Sequence, residues 1–136
     1  MTDTPTLLTP GLSDALNNWL QGLSAIKGRS ANTQTAYRAD VLGFLAFMQG
    51  HHGTGFGTAA LGKLTQSDMR AWMAHERGRG VAARSLARAL SSVKGFVRWL
   101  AERDGFDPTA VLATRSPGYR RKLPRPLAEA AAREMI

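Results

Sequence analysis

Apolar residues recur along this chain at helical spacing and rarely alternate. Leu12, Leu16, Trp19, Leu20 and Leu23 step by three and four residues. That spacing puts them on one face of an amphipathic helix near 12–24, with Ser13 and Asp14 suited to its first turn. Tyr37, Val41, Phe44, Leu45 and Met48 repeat the pattern in a second helix near 31–49, for which Ser30 is the expected N-cap. Because their apolar faces match, these two helices are expected to pack together. Thr65 and Asp68 form a capping-box pair at the start of a third helix near 66–78, with Leu64 and Met69 at hydrophobic-staple spacing. This helix buries Met69, Trp72 and Met73, and Gly78 and Gly80 end it. A fourth and longest helix spans 82–102. A short fifth near 108–113 opens with Asp107 and Pro108. β-Branched runs are few, so the chain reads as all-α: a small orthogonal bundle of four to five helices with no sheet.

The long helix has two unlike faces. Leu86, Leu90, Val93, Val97 and Leu100 form its apolar stripe, flanked by Phe96 and Trp99. Opposite them stand Arg84, Ser85, Arg88, Ser91, Ser92 and Lys94, and no acid occurs from Val81 to Leu100. A solvated helix normally mixes signs to gain i,i+4 pairs. A basic, hydroxyl-bearing front on an apolar back suits a polyanion, and it fits a DNA major groove.

Net charge enters through its placement. The chain carries +8 overall, yet residues 1–76 hold five bases and five acids. Residues 77–125 hold twelve bases and three acids, so the excess surrounds the long helix. Concentrated positive charge of this kind points to nucleic acid before acidic lipid or an acidic protein. The start of the second helix, with Asn32, Thr33 and Thr35, is small and polar and can meet the same ligand.

Other chemistries find little support. With no cysteine there is neither a disulfide framework nor thiol chemistry. No apolar run approaches ~18 residues, so no membrane span is expected. The glycine-rich stretch 51–62 follows a helix, whereas a phosphate-binding loop should follow a strand; it reads as a flexible connection. His51 and His52 are adjacent and are expected to lack acidic or cysteine company, and His75 lacks a second histidine at metalloprotease spacing. Neither a metal nor a cofactor is expected. Tyr37 lies on a core stripe and Tyr119 in a proline-broken segment, so neither sits in a nucleophile constellation.

Taken in order, SANTQTAYRADVLGFLAFM, LTQSDMRAWM, VAARSLARALSSVKGFVRWL, the DP pair and LPRPL resemble the N-terminal core-binding (SAM-like) domain of tyrosine recombinases, the phage-integrase class. The resemblance covers about residues 12–127, and the compact start is similar to the bacterial Xer type that resolves chromosome dimers. It implies a helical domain on one face of duplex DNA, joined by a basic linker to a catalytic domain on the other. It places DNA contacts at Asn32, Thr33 and Thr35, then along the fourth helix at Arg84, Ser85, Arg88 and Ser92. Charge alone adds Lys94, and the linker adds Arg120, Arg121, Lys122 and Arg125. Ala82 stands where the family often has a serine or threonine cap.

The expected organisation is a tail at 1–11, a DNA-binding domain at 12–115, a basic linker at 116–126 and the truncated start of a catalytic domain at 127–136. No catalysis is expected of this chain itself. Its expected partners are a double-stranded recombination site and other recombinase protomers, and its expected setting is the bacterial cytoplasm and nucleoid. A stand-alone helical DNA-binding or nucleoid protein is the alternative reading.

Overall fold

A computed structural model describes residues 8–27, 31–53 and 55–116. Its helices are α1 (Pro10–Lys27), α2 (Ala31–His52), α3 (Thr58–Leu61), α4 (Gln66–Gly78), α5 (Ala83–Asp104) and α6 (Thr109–Leu112). No strand occurs among the described residues. The fourth helix of the sequence pattern is α5, and it packs against α1, α2, α4 and α6. Leu86, Val93, Phe96, Val97 and Leu100 on its inner face are 0 % exposed. At about 1.5–3 kcal/mol for each fully buried large apolar side chain, this stripe contributes on the order of 10 kcal/mol. That energy fixes the rotation of α5 about its axis, and hence which residues face outward.

Trp19 ties α1 and α2 to this inner face. Its ring meets Phe96 edge-on at 5.5 Å and stacks on Tyr37 at 6.0 Å. Phe44 of α2 meets Trp72 of α4 edge-on at 5.1 Å. The α4 start follows the sequence reading closely. The Thr65 side chain accepts from the Asp68 N–H and the Asp68 carboxylate accepts from the Thr65 N–H, while Leu64 and Met69 are both buried. At the other end of α4, Gly80 takes φ +86 and the Val81 N–H returns to the Glu76 carbonyl. This left-handed turn closes the helix and sends the chain into α5.

Three expectations change. The first helix begins at Pro10, inside the expected tail, because a proline at the first helical position forfeits no hydrogen bond. Asp14 therefore sits in its second turn, and Leu8 packs against the core. The described residues of 51–62 carry more structure than a flexible connection: His51 and His52 end α2, α3 forms there, and Phe56 and Leu61 are buried. Gly62 approaches Phe106 so closely that a Cβ there would lie 3.0 Å from the ring. The short last helix starts at Thr109, whose N–H donates to Asp107, so the aspartate caps it from two residues back. Ser30 lies outside the described residues, as does everything after Ser116, the first residue of the expected linker.

Candidate nucleic-acid interface

An outer stripe runs along α5 through Arg84, Arg88, Ser91 and Arg98, all exposed, with Gly95 half-buried among them. Steps of four, three, four and three residues keep them in line on a straight helix. At ~1.5 Å per residue, Arg84 and Arg98 stand about 21 Å apart. α5 itself contributes no acid before Glu102. The N-terminus of α5 has no side-chain cap, since Ala82 offers none, so its macrodipole adds to the positive field at the Arg84 end.

Helices α2 and α5 run antiparallel. Tyr37 shares a cleft of about 380 Å³ with Gly95 and Arg98, Asp40 meets Arg88 and Ser92, and Gly43 and Phe44 share another cleft with Val81 and Ser85. The polar start of α2 therefore lies toward the Arg98 end of α5, not beside Arg84. Asn32 and Thr35 are exposed there and Thr33 is half-buried. The Thr35 hydroxyl bonds back to the Ala31 carbonyl at 3.0 Å. Gln34 donates to the Leu20 carbonyl at 3.1 Å, pinning α2 to α1.

Arg88 is held by Asp40. Its Nε–H and Nη2–H donate to the two carboxylate oxygens at 3.2 and 2.7 Å. The Asp40 side chain is 6 % exposed and that of Arg88 57 %. These hydrogen bonds, and then the carboxylate's charge, push the guanidinium above its usual pKa. An arginine has five N–H donors. Asp40 takes one from each nitrogen of the Nε–Nη2 edge, which leaves three N–H groups, two on Nη1 and one on Nη2, that do not meet Asp40. Arg88 is thus oriented without being used up.

Ser92 requires a correction. It was expected on the polar front, but it is 5 % exposed and its hydroxyl donates to Asp40 Oδ2 at 2.9 Å. Ser92 lies about 100° around the helix from the centre of the apolar stripe. On that flank α2 packs and covers it. Lys94 lies on the opposite flank, half-buried. Burial, then Arg115 and Arg98, lowers its pKa, so it marks a second cluster of cations beside the stripe. Ser85 is exposed on the wall of the α2–α4–α5 cleft. Arg120, Arg121, Lys122 and Arg125 lie outside the described residues.

Arg98 is the residue that the sequence reading missed. Its signal was present: Arg84, Ser91 and Arg98 are seven apart and share one line. Asp40 gave no such signal, being 48 residues from its partner. The expectation that His51 and His52 lack acidic company also fails, because the fold brings Asp68 to both. No helix among the described residues is long and apolar enough to cross a membrane.

Comparison with known proteins gives a consistent answer. Residues 16–104 match the family described as phage integrase, N-terminal SAM-like domain. The chain is similar to the tyrosine recombinase XerC of Rhodospirillum centenum, at 40 % identity over 88 % of this chain and 35 % of that protein. It is 43 % identical to the tyrosine recombinase XerC of a Methylobacterium species over 95 % of this chain and 41 % of that one. For Brucella suis the values are 34 %, 92 % and 40 %. The chain thus spans about two-fifths of the length of these relatives. No solved structure gives a significant match. With 89 of its residues inside the match and its all-helical architecture in agreement, the chain belongs to the phage integrase N-terminal SAM-like domain family.

Proposed function

We propose that this chain is the DNA-binding domain of a site-specific tyrosine recombinase of the Xer type, seating the outer face of α5 in the major groove of a duplex recombination site. The carrying observation is the stripe of Arg84, Arg88, Ser91 and Arg98, exposed on a helix whose opposite face is locked into the core. A rigid helix can hold a side chain at a fixed base edge, and a major groove admits a helix. On this reading Arg88 is the base-reading residue. Its remaining N–H groups match the O6 and N7 acceptors of guanine, and Asp40 positions it. Arg84 and Arg98 are phosphate contacts at the two ends of the stripe. Asn32, Thr33 and Thr35 add polar contacts near the Arg98 end, and Ser85 adds one from the cleft wall.

Ser92 positions Asp40 in this scheme and touches no base. Lys94, with Arg115, contributes to the field beside the groove. For Arg120, Arg121, Lys122 and Arg125 the sequence alone supports a role as phosphate contacts. Breaking and rejoining of strands is assigned to a part of the parent protein other than this chain, with further recombinase protomers on the same DNA and a nucleoid setting. The relatives are themselves tyrosine recombinases of which this chain matches only a part, which supports that division of labour.

The test is binding of the chain to duplexes carrying the recombination site or its scrambled sequence, measured at three salt concentrations. Affinity should fall with salt on both, and the site duplex should bind more tightly at every salt. Equal affinity for both duplexes would remove base reading, and salt-independent binding would remove the DNA reading altogether.

A further inference from the structure

We propose that His51, His52 and Asp68 form a binding site for a divalent transition-metal ion of the zinc type, independent of the DNA-facing surface. The three come from two elements, the C-terminal end of α2 and the first turn of α4. Nε2 of His51 lies 3.4 Å, and Nε2 of His52 3.2 Å, from the same carboxylate oxygen, Asp68 Oδ1. Tetrahedral zinc with bonds of about 2.0–2.1 Å places its ligand atoms about 3.3 Å apart. Two edges of the coordination polyhedron are therefore already at length. All three ligand atoms lie within 4.8 Å of one another, so a modest ring rotation brings the histidines together on the third edge.

The side chains are held rather than adrift. His51 stacks on Phe47 at 5.2 Å and 17°, and His52 on Phe56 at 5.4 Å and 24°. Phe56 is itself buried, so the His52 ring leans on the core. The other carboxylate oxygen, Asp68 Oδ2, accepts from the Thr65 N–H at 2.9 Å and from its hydroxyl at 3.1 Å. The capping box thus serves as an outer shell that orients Oδ1 toward the histidines. Two imidazoles and one carboxylate make a donor set that suits zinc, nickel or copper, whereas magnesium and calcium take oxygen ligands. Both histidines are exposed, with side chains 38 % and 36 % accessible, so an ion can enter and water can complete the sphere. Bound metal would link α2 directly to α4.

The experiment titrates zinc chloride into the untagged 136-residue chain by calorimetry and follows its melting temperature in parallel. One equivalent should bind saturably, raise the melting temperature, and be reversed by a chelator; magnesium should do neither. His51→Ala and His52→Phe should each weaken zinc binding at least tenfold. The second keeps the ring stack on Phe56 and removes only the ligand nitrogen. His75→Ala, whose ring also lies against Phe47, should bind as the parent does. Absence of a saturable site, full affinity in His52→Phe, or an equal loss in His75→Ala would overturn the proposal.

Discussion

Replacing Asp40 by asparagine tests whether Arg88 is positioned or merely present. Asp40 is nearly buried, accepts two hydrogen bonds from Arg88 and accepts one from Ser92. Hydrogen bonds to charged groups contribute about 1.5–3 kcal/mol each, and exposed ion pairs much less. Arg88 is more than half exposed, so solvent screens much of this pair. Asparagine keeps the shape and one acceptor, yet it turns an amide donor toward groups that themselves donate. A destabilisation of about 1–2 kcal/mol follows, or roughly 4–10 °C in melting temperature for a domain of this size.

The binding effect is separate. In Asp40→Asn the Arg88 guanidinium keeps its charge and loses its anchor, and the chain gains one net positive charge. Affinity for scrambled DNA should rise slightly. Bidentate guanine recognition is worth about 1–3 kcal/mol of discrimination. If half of that depends on the anchor, the ratio of site to scrambled affinity falls roughly twofold to twelvefold. Isotherms on both duplexes at 10 °C, well below unfolding, would measure it, with Arg88→Ala as the limiting case. An unchanged ratio in Asp40→Asn, alongside a collapsed ratio in Arg88→Ala, would refute the positioning role. So would an equal drop on both duplexes.

Arg84→Ala combined with Arg98→Ala should weaken binding equally on both duplexes and flatten the salt dependence by about 0.9 for each phosphate no longer neutralised; an effect confined to the site duplex would reassign them to base reading. Lys94→Met removes a half-buried cation whose pKa is lowered by burial and by Arg115 and Arg98. It should leave stability within about 0.5 kcal/mol of the parent or slightly above it while weakening DNA binding, and a larger destabilisation in urea unfolding would contradict this. Thr65→Ala should cost about 1 kcal/mol at pH 7 through removal of the cap. Burial opposes ionisation of Asp68, but hydrogen bonds from Thr65 and the charges of His52 and His51 prevail and lower its pKa below 3.8. A depressed carboxyl pKa stabilises the fold above the unfolded value, and that stabilisation is lost as pH falls through the folded one. The gap between parent and Thr65→Ala should therefore shrink below pH 3.8, and a gap constant with pH would show that Asp68 ionisation contributes nothing to the cap.

What could be read from the sequence was whatever repeats or sits close by. The stripes of α1, α2, α4 and α5 are periodic over several turns, so their faces were legible. So was the α4 capping box, whose partners are three residues apart. The burial of Phe56 and Leu61 was not, because Phe56 stands alone among glycines and α3, which carries Leu61, is too short to show a period. Ser92 failed for a different reason. Residues at the margin of a helical face are assigned inward or outward by the neighbouring helix, and nothing in α5 itself says that α2 covers that flank. Pairings such as Arg88 with Asp40, or Asp68 with His51 and His52, exist only once the helices are packed.

The antiparallel packing of α2 on α5 has a consequence for the proposed interface that neither helix shows alone. It carries Asp40 to the middle of α5, so an acid sits within a basic surface at one place. Arg84 and Arg98, some 21 Å apart by helical rise, pair with no carboxylate among the described residues, while Arg88 between them is anchored. Charges at the ends tolerate small displacements of a phosphate, since the Coulomb attraction varies slowly with distance. An anchored fork does not tolerate them, because hydrogen bonds weaken steeply away from alignment. On the proposed reading, positioning therefore belongs to the ends of the stripe and sequence discrimination to its centre. Asp40 makes this division by being nearly buried: a solvent-exposed acid at the same site would screen Arg88 without orienting it.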